Sequence, residues 1–235
     1  MSDPPRIRYR FDLPDGSRRS CEFRFDEQDF RLSNPAPAEP AFWTELKFQQ
    51  CANCPLDPAV HPHCPPALQM SETVEKLKAL VSFDTVAVTV TQAERTVHVE
   101  VSAQQALSSV LGLIMATAGC PWTDRLRPMA RFHLPFASDS ETVYRSVTMF
   151  LLARELLGWD ELAGFAALQD LYRNLHVVNR DMSRRLGAAT RTDPARNALA
   201  LLDTYTTLLP AAIEDSLQEF APLFEGWLEA ESKVI

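Results

Sequence analysis

Cys51-Ala52-Asn53-Cys54, followed closely by His61, His63 and Cys64, gathers soft metal ligands into one short segment. Three of the chain's five cysteines and two of its five histidines lie there. A two-residue gap lets both sulfurs of Cys51 and Cys54 face one ion, and His61 with Cys64 repeats that gap, completing a tetrahedral Cys3His set. His63 can replace His61, although its adjacency to Cys64 strains joint ligation. A rival set recruits Cys120, in Gly119-Cys120-Pro121, so that Cys51, Cys54, Cys64 and Cys120 supply four thiolates suited to zinc or to an iron-sulfur cluster. Three of these four cysteines precede proline, a context also found beside cluster ligands. Zinc is the first expectation, a cluster the alternative, and unliganded thiols packed under a sheet the third reading.

A second group is basic. Arg125, Arg127, Arg131 and His133 fall in one short connector of an otherwise acidic chain. Arginine forks bind carboxylates and phosphates, so Arg127, Arg131 and His133 form a candidate anion site with His133 available for proton transfer. The competing use is structural: the arginines pair with the protein's own acids while His133 packs in an ordered loop. Tyr172, Asn174, His176, Asn179 and Arg180 share one helix and read as its exposed side, because apolar positions already account for its inner stripe.

The elements that must position these residues are legible from periodicity. Ile7, Tyr9 and Phe11 alternate with arginines, Pro14-Asp15-Gly16 offers a turn, and Cys21, Phe23 and Phe25 resume the alternation, predicting a hairpin with Cys21 in the core. Ser33 to Pro40 is a proline-rich extended connector. Phe42 to Gln50 reads as a short strand leading into the cysteine segment, where the five prolines from Pro55 to Pro66 predict an ordered loop. A helix follows through Leu68, Val74, Leu77 and Leu80. A second hairpin comes next, with Val86, Val88, Val90, Val97, Val99 and Val101 on one face and His98 on the other. Apolar residues surround most of Ala103 to Gly119, so that helix is expected to be central and buried.

The remainder reads as helical. Ser138 and Glu141 have capping-box spacing, and Leu162 to Leu186 carries an apolar stripe that Gly187 should stop. Asp193-Pro194 predicts the start of another helix, Pro210 a break, and Ile213 to Trp227 a last helix kinked at Pro222. The expected class is α+β: antiparallel hairpins forming a small sheet, packed with a mainly helical C-terminal half. Residues 1–135 form the β-rich region with the cysteine loop, and residues 136–235 the helical region, packed together as one unit.

With 235 residues, 46% of them hydrophobic, the chain can bury a core without staples. Met1 to Arg10 lacks the apolar centre of a secretory leader, and the longest apolar stretch, Val110 to Ala118, is short of the ~20 residues that span a bilayer. A cytoplasmic location is expected, where cysteines serve as thiols or ligands and not as disulfides. A net charge of −8 disfavours nonspecific nucleic-acid binding. No glycine-rich phosphate loop, nucleophile elbow or H-E-x-x-H pattern occurs.

The segments Cys51-x2-Cys54-Pro55-Leu56 through His61-Pro62-His63-Cys64-Pro65, and Gly119-Cys120-Pro121 through Arg127-Pro128-Met129-Ala130-Arg131-Phe132-His133-Leu134-Pro135-Phe136, resemble an uncharacterised bacterial protein family, a domain of unknown function. The resemblance runs from about Trp43 to Leu186. It implies that both segments belong to one recurring unit, with Cys120 near the loop, and it implies no activity. The functional expectation is a binding or sensing module with a structural metal, acting on a protein partner or a small anionic ligand. The alternatives are an enzyme acting on a small anionic substrate through Arg127, Arg131 and His133, and an iron-sulfur electron-transfer protein.

Overall fold

A computed structural model describes residues 4–158, 164–189 and 194–226 of the chain. Strands β1 (Arg6–Asp12) and β2 (Arg18–Arg24) form the first hairpin, with Tyr9 opposite Cys21. Strands β3 (Thr85–Thr91) and β4 (Thr96–Ser102) form the second, with Val86, Val88 and Val90 opposite Val101, Val99 and Val97. The hairpins join through β1 and β3 into one antiparallel sheet ordered β2-β1-β3-β4. Period-two alternation gives this sheet one apolar face, on which Ile7, Tyr9, Phe11, Cys21, Phe23, Val86, Val88 and Val90 are buried. Its other face carries the ion pair of Arg8 with Glu22 and the hydrogen bond between Thr89 and His98. The fold is α+β, as the patterns predict.

Helix α1 (Pro65–Lys76) follows the cysteine loop and buries Ala67, Met70 and Val74. The central helix α2 (Ala103–Thr117) begins at a capping box between Ser102 and Gln105 and is buried on nearly every side, from Leu107 through Ile114. After the short α3 (Arg127–Arg131), the predicted Ser138–Glu141 box opens α4 (Asp139–Leu157), which ends on Gly158 at φ 63°. Helices α5 (Ala166–Ala189) and α6 (Pro194–Phe220) pack against each other, and α6 also packs against α2 and α4. The main core unites the sheet's apolar face, α1 and α2 with Val178, Met182 and Leu186 of α5 and Ala195, Ala198 and Leu199 of α6. A smaller cluster joins α4 to the first half of α5 through Val147, Phe150, Leu168 and Leu175, with Trp122 and Leu126 bordering both.

Four local expectations differ. Phe42 to Gln50 is not a strand: Phe42–Thr44 forms a 3-10 turn, and the segment contributes one isolated bridge, Glu45 to His63. The chain here folds back on the cysteine loop, where Thr44 and Leu46 bond Cys64 and Pro62 in place of a sheet partner. Gly187 does not stop α5, and Pro210 does not break α6. Both helices lie along each other and the core, so packing outweighs a glycine cost of ~1 kcal/mol and a proline cost of ~3 kcal/mol. Pro222 does not kink a continuing helix but lies in a 3-10 turn, Ala221–Phe224, at the end of α6. The expected cap at Asp193 and the anchor Trp227 lie outside the described residues.

Candidate metal centre

The cysteine loop is fixed from several directions. The Cys54 amide donates to the Cys51 carbonyl at 3.0 Å, closing the C-x2-C turn, and Gln50 Nε2 donates to the Leu56 carbonyl at 3.0 Å across it. Asp57 accepts from the Ala59 amide, starting the turn that leads to His61. The returning limb pairs with the 3-10 segment: Leu46 donates to Pro62 at 2.9 Å and Cys64 donates to Thr44 at 2.8 Å. Cys64 is also the N-cap of α1, and because Pro65 and Pro66 have no amide hydrogen, Ala67 carries the first amide of the helix, which favours the ionised form of the Cys64 thiol without closing a cap hydrogen bond to it. Helix α1 thus directs its positive end at a thiol.

Cys120 arrives from the other side. Helix α2 ends at Ala118, and Gly119 takes φ 89°, a left-handed conformation that turns the chain so that Cys120 follows at once. The Asp124 amide then donates to the Cys120 carbonyl at 2.9 Å, and Thr123 Oγ1 donates to the Met115 carbonyl, tying this corner to α2.

The result is convergence. Cys51, Cys54, Cys64 and Cys120 line one small cavity of about 20 Å³ together with Leu46, Leu56, Trp122, Val178, Met182 and Arg185. That volume corresponds to about one water-sized sphere. Burial pushes the Cys51 thiol up to about 12, and the neighbouring Cys64, Cys120 and Asp181, with Cys54, push in the same direction. Burial likewise raises Cys64 to about 11, opposed by the Ala67 amide and the Arg185 guanidinium. Without a cation, ionised sulfurs here repel one another in an apolar wall, so the protonated form is favoured. A bound metal removes that penalty, since the thiolate is the ligand. Among the described residues, no three His, Cys, Asp or Glu side chains stand as a ready set around a single ion, so the sulfurs ring a space without closing on a point.

The other predicted residues are distributed differently. His61 is exposed and does not line the cavity, and His63 Nδ1 is turned to Thr44 Oγ1 at 2.9 Å. Cys21 is buried in the sheet core, as the alternation predicts. Arg127 pairs with Asp29 at 3.6 Å and Asp124 at 3.4 Å, while Arg131 lies over the rings of Phe30 and Phe132. His133 is buried, with Nε2 2.6 Å from the Tyr9 hydroxyl, which also meets Ser109 Oγ at 2.8 Å. Burial lowers its imidazole to about 3, with Arg145 adding to the shift, so it is neutral near pH 7 and a poor proton carrier there. His133 lines a second cavity that neither Arg127 nor Arg131 reaches, so the three do not assemble one anion site.

Of the five polar residues that read as the exposed side of α5, Tyr172 and Asn179 are buried, while Asn174, His176 and Arg180 are half-buried. Tyr172 is bonded to Ser146 Oγ at 2.7 Å. Asn174 holds the Asn53 amide at 3.1 Å, and Asp181 Oδ2 accepts from the Ala52 amide at 2.9 Å while pairing with Arg180 and Arg184. Arg185, fully buried, donates to the carbonyls of Trp43 and Glu45 at 2.7 Å each and of Leu46 at 3.1 Å. Trp122 Nε1 closes the clamp on the Asn53 carbonyl at 2.8 Å. The sequence reading missed this clamp, though a signal existed: Asp181 and Arg185 fall at helical spacing among Val178, Met182 and Leu186, charged residues on an apolar stripe.

The family model described as Domain of unknown function (DUF6901) matches residues 7–225. Curated proteins and solved structures give no match. Among the described residues, no helix is long and apolar enough to cross a membrane.

Proposed function

This chain belongs to the DUF6901 family, and we propose that it is a cytoplasmic metal-binding protein whose Cys51, Cys54, Cys64 and Cys120 hold one metal centre. The observation that carries the reading is that all four sulfurs line a single small cavity although they come from the loop, the start of α1 and the end of α2. Four thiolates and no water make a closed set, the signature of a structural zinc site and not of a catalytic one. The metal ties the proline-rich loop to the buried helix, and the helical half serves as a binding or sensing surface.

An iron-sulfur cluster is the second reading, favoured by one feature. The sulfurs surround a space walled by Leu46, Leu56, Trp122, Val178 and Met182, and do not stand as a preformed set around one ion. Four cysteines also ligate such clusters, and burial and hydrogen bonds to sulfur tune their potentials. Either occupant gives the same ligand dependence. Purified without air, the protein should contain stoichiometric zinc, colourless, or iron with a brown colour. Cys120→Ser should lose that metal and His61→Ala should keep it. Equal retention in both variants would remove Cys120 from the ligand set.

A further inference from the structure

The second cavity lies between α2, the connector from Thr123 to Ala137, and helices α4, α5 and α6, and its volume is about 430 Å³. That is within the ~300–1,000 Å³ range of small-molecule sites, which are mostly apolar with a few placed polar groups. Leu113, Met115, Leu126, Met129, Leu134 and Leu202 form much of the apolar wall. Two polar groups on the wall have no hydrogen-bond partner among the described residues. Asn179 is 6% exposed and Ser108 8% exposed, and neither side chain makes a hydrogen bond. Their polar atoms are not sealed in the protein but open onto the cavity, where they can bond a group that occupies it.

Arg145 decides the ligand's charge. Its Nη2 donates to the Met129 carbonyl at 2.6 Å and the Phe132 carbonyl at 3.0 Å, fixing the guanidinium on the cavity wall. Among the described residues its Nε and Nη1 make no hydrogen bond and it forms no ion pair, although the charge of Glu141 acts on it from nearby. The nearby Glu141 is committed to the α4 cap, accepting from the Ser138 amide at 2.7 Å. Both forked edges of a guanidinium include Nη2, so the remaining Nε and Nη1 donors diverge and each offers a carboxylate oxygen a single charge-assisted hydrogen bond. A phosphate would demand more positive charge than this wall provides.

We propose that this cavity binds a soluble monocarboxylate with an apolar chain, the carboxylate on Arg145 and the chain among the leucines and methionines. The site is separate from the metal centre and does not depend on it. The test is calorimetric titration of the full chain with decanoate and with decanol. Decanoate should bind once per chain and decanol at least about tenfold more weakly, since the lost interactions are charge-assisted. Arg145→Gln should reduce decanoate to the decanol level and leave decanol unchanged. Because Arg145 also holds two carbonyls, Asn179→Leu gives a second arm. It should leave the thermal midpoint of the ligand-free protein close to the parent's, since no protein hydrogen bond is lost, while weakening decanoate. Equal binding of decanoate and decanol, no binding of either at millimolar concentration, or an Asn179→Leu variant with unchanged decanoate affinity would overturn the proposal.

Discussion

Replacing Arg185 with methionine removes the group on which three backbone carbonyls of the segment before the cysteine loop depend. The guanidinium is 0% exposed, donates to Trp43, Glu45 and Leu46 and lies over the Phe48 ring. A hydrogen bond to a charged group contributes roughly 1.5–3 kcal/mol, and each carbonyl left buried without a donor costs roughly 1–3 kcal/mol. Against this, methionine fills much of the same volume and relieves the desolvation of a buried cation. The balance is a loss of about 3–5 kcal/mol, the range found when one member of a buried polar set is removed. Urea unfolding at constant m-value reads the number. Hydrogen exchange should locate the loss at Leu46 and Cys64, whose amides define the pairing of the two limbs. The metal should respond too. Arg185 opposes the burial-driven rise of the Cys64 thiol, so the variant should release its metal at a higher pH than the parent. A loss below about 1 kcal/mol, the scale of an exposed pair, would refute the clamp.

Other perturbations test separate parts. Cys54→Ser should remove several kcal/mol of metal-coupled stability, whereas Cys21→Ser should cost about 1 kcal/mol as a core defect, both read by thermal unfolding with and without chelator. Equal, small losses would count against the metal. His133 provides a pH test. Its folded value of about 3 lies below its ordinary 6.5, so the unfolded chain takes up the proton first. Its contribution is whole above pH 6.5 and is lost as pH falls towards 3, on the order of 4–5 kcal/mol at the acid limit. His133→Phe should flatten that part of the stability profile, and an unchanged acid slope would contradict the burial argument. Trp122→Phe should cost about 1 kcal/mol and speed proteolysis at Asn53, because one indole hydrogen bond to the loop is lost.

Much of the scaffold was legible because periodicity reports burial directly. The alternations around Tyr9 and Val88 specify which faces of the two hairpins turn inward, and the Ser138 cap follows from local hydrogen bonding. The cysteine spacing pointed to Cys51, Cys54 and Cys64, and Cys120 entered as a rival to His61 without a means of choosing. Choosing required knowing that Gly119 reverses the chain, a long-range matter of where α2 ends beside the loop. The clamp was harder still, since Arg185 bonds carbonyls about 140 residues away and carbonyls have no residue-specific signature. Gly187 and Pro210 misled for a related reason: local breakers lose when a long helix face is packed.

The central claim is that four sulfurs from the loop, the start of α1 and the end of α2 share one metal. X-ray absorption at the zinc and iron edges, on full-length protein purified without air, reads the donors directly. The account predicts a stoichiometric metal with an all-sulfur protein shell near ~2.3 Å. Nitrogen or oxygen in that shell, or a folded protein without stoichiometric metal at either edge, would contradict it.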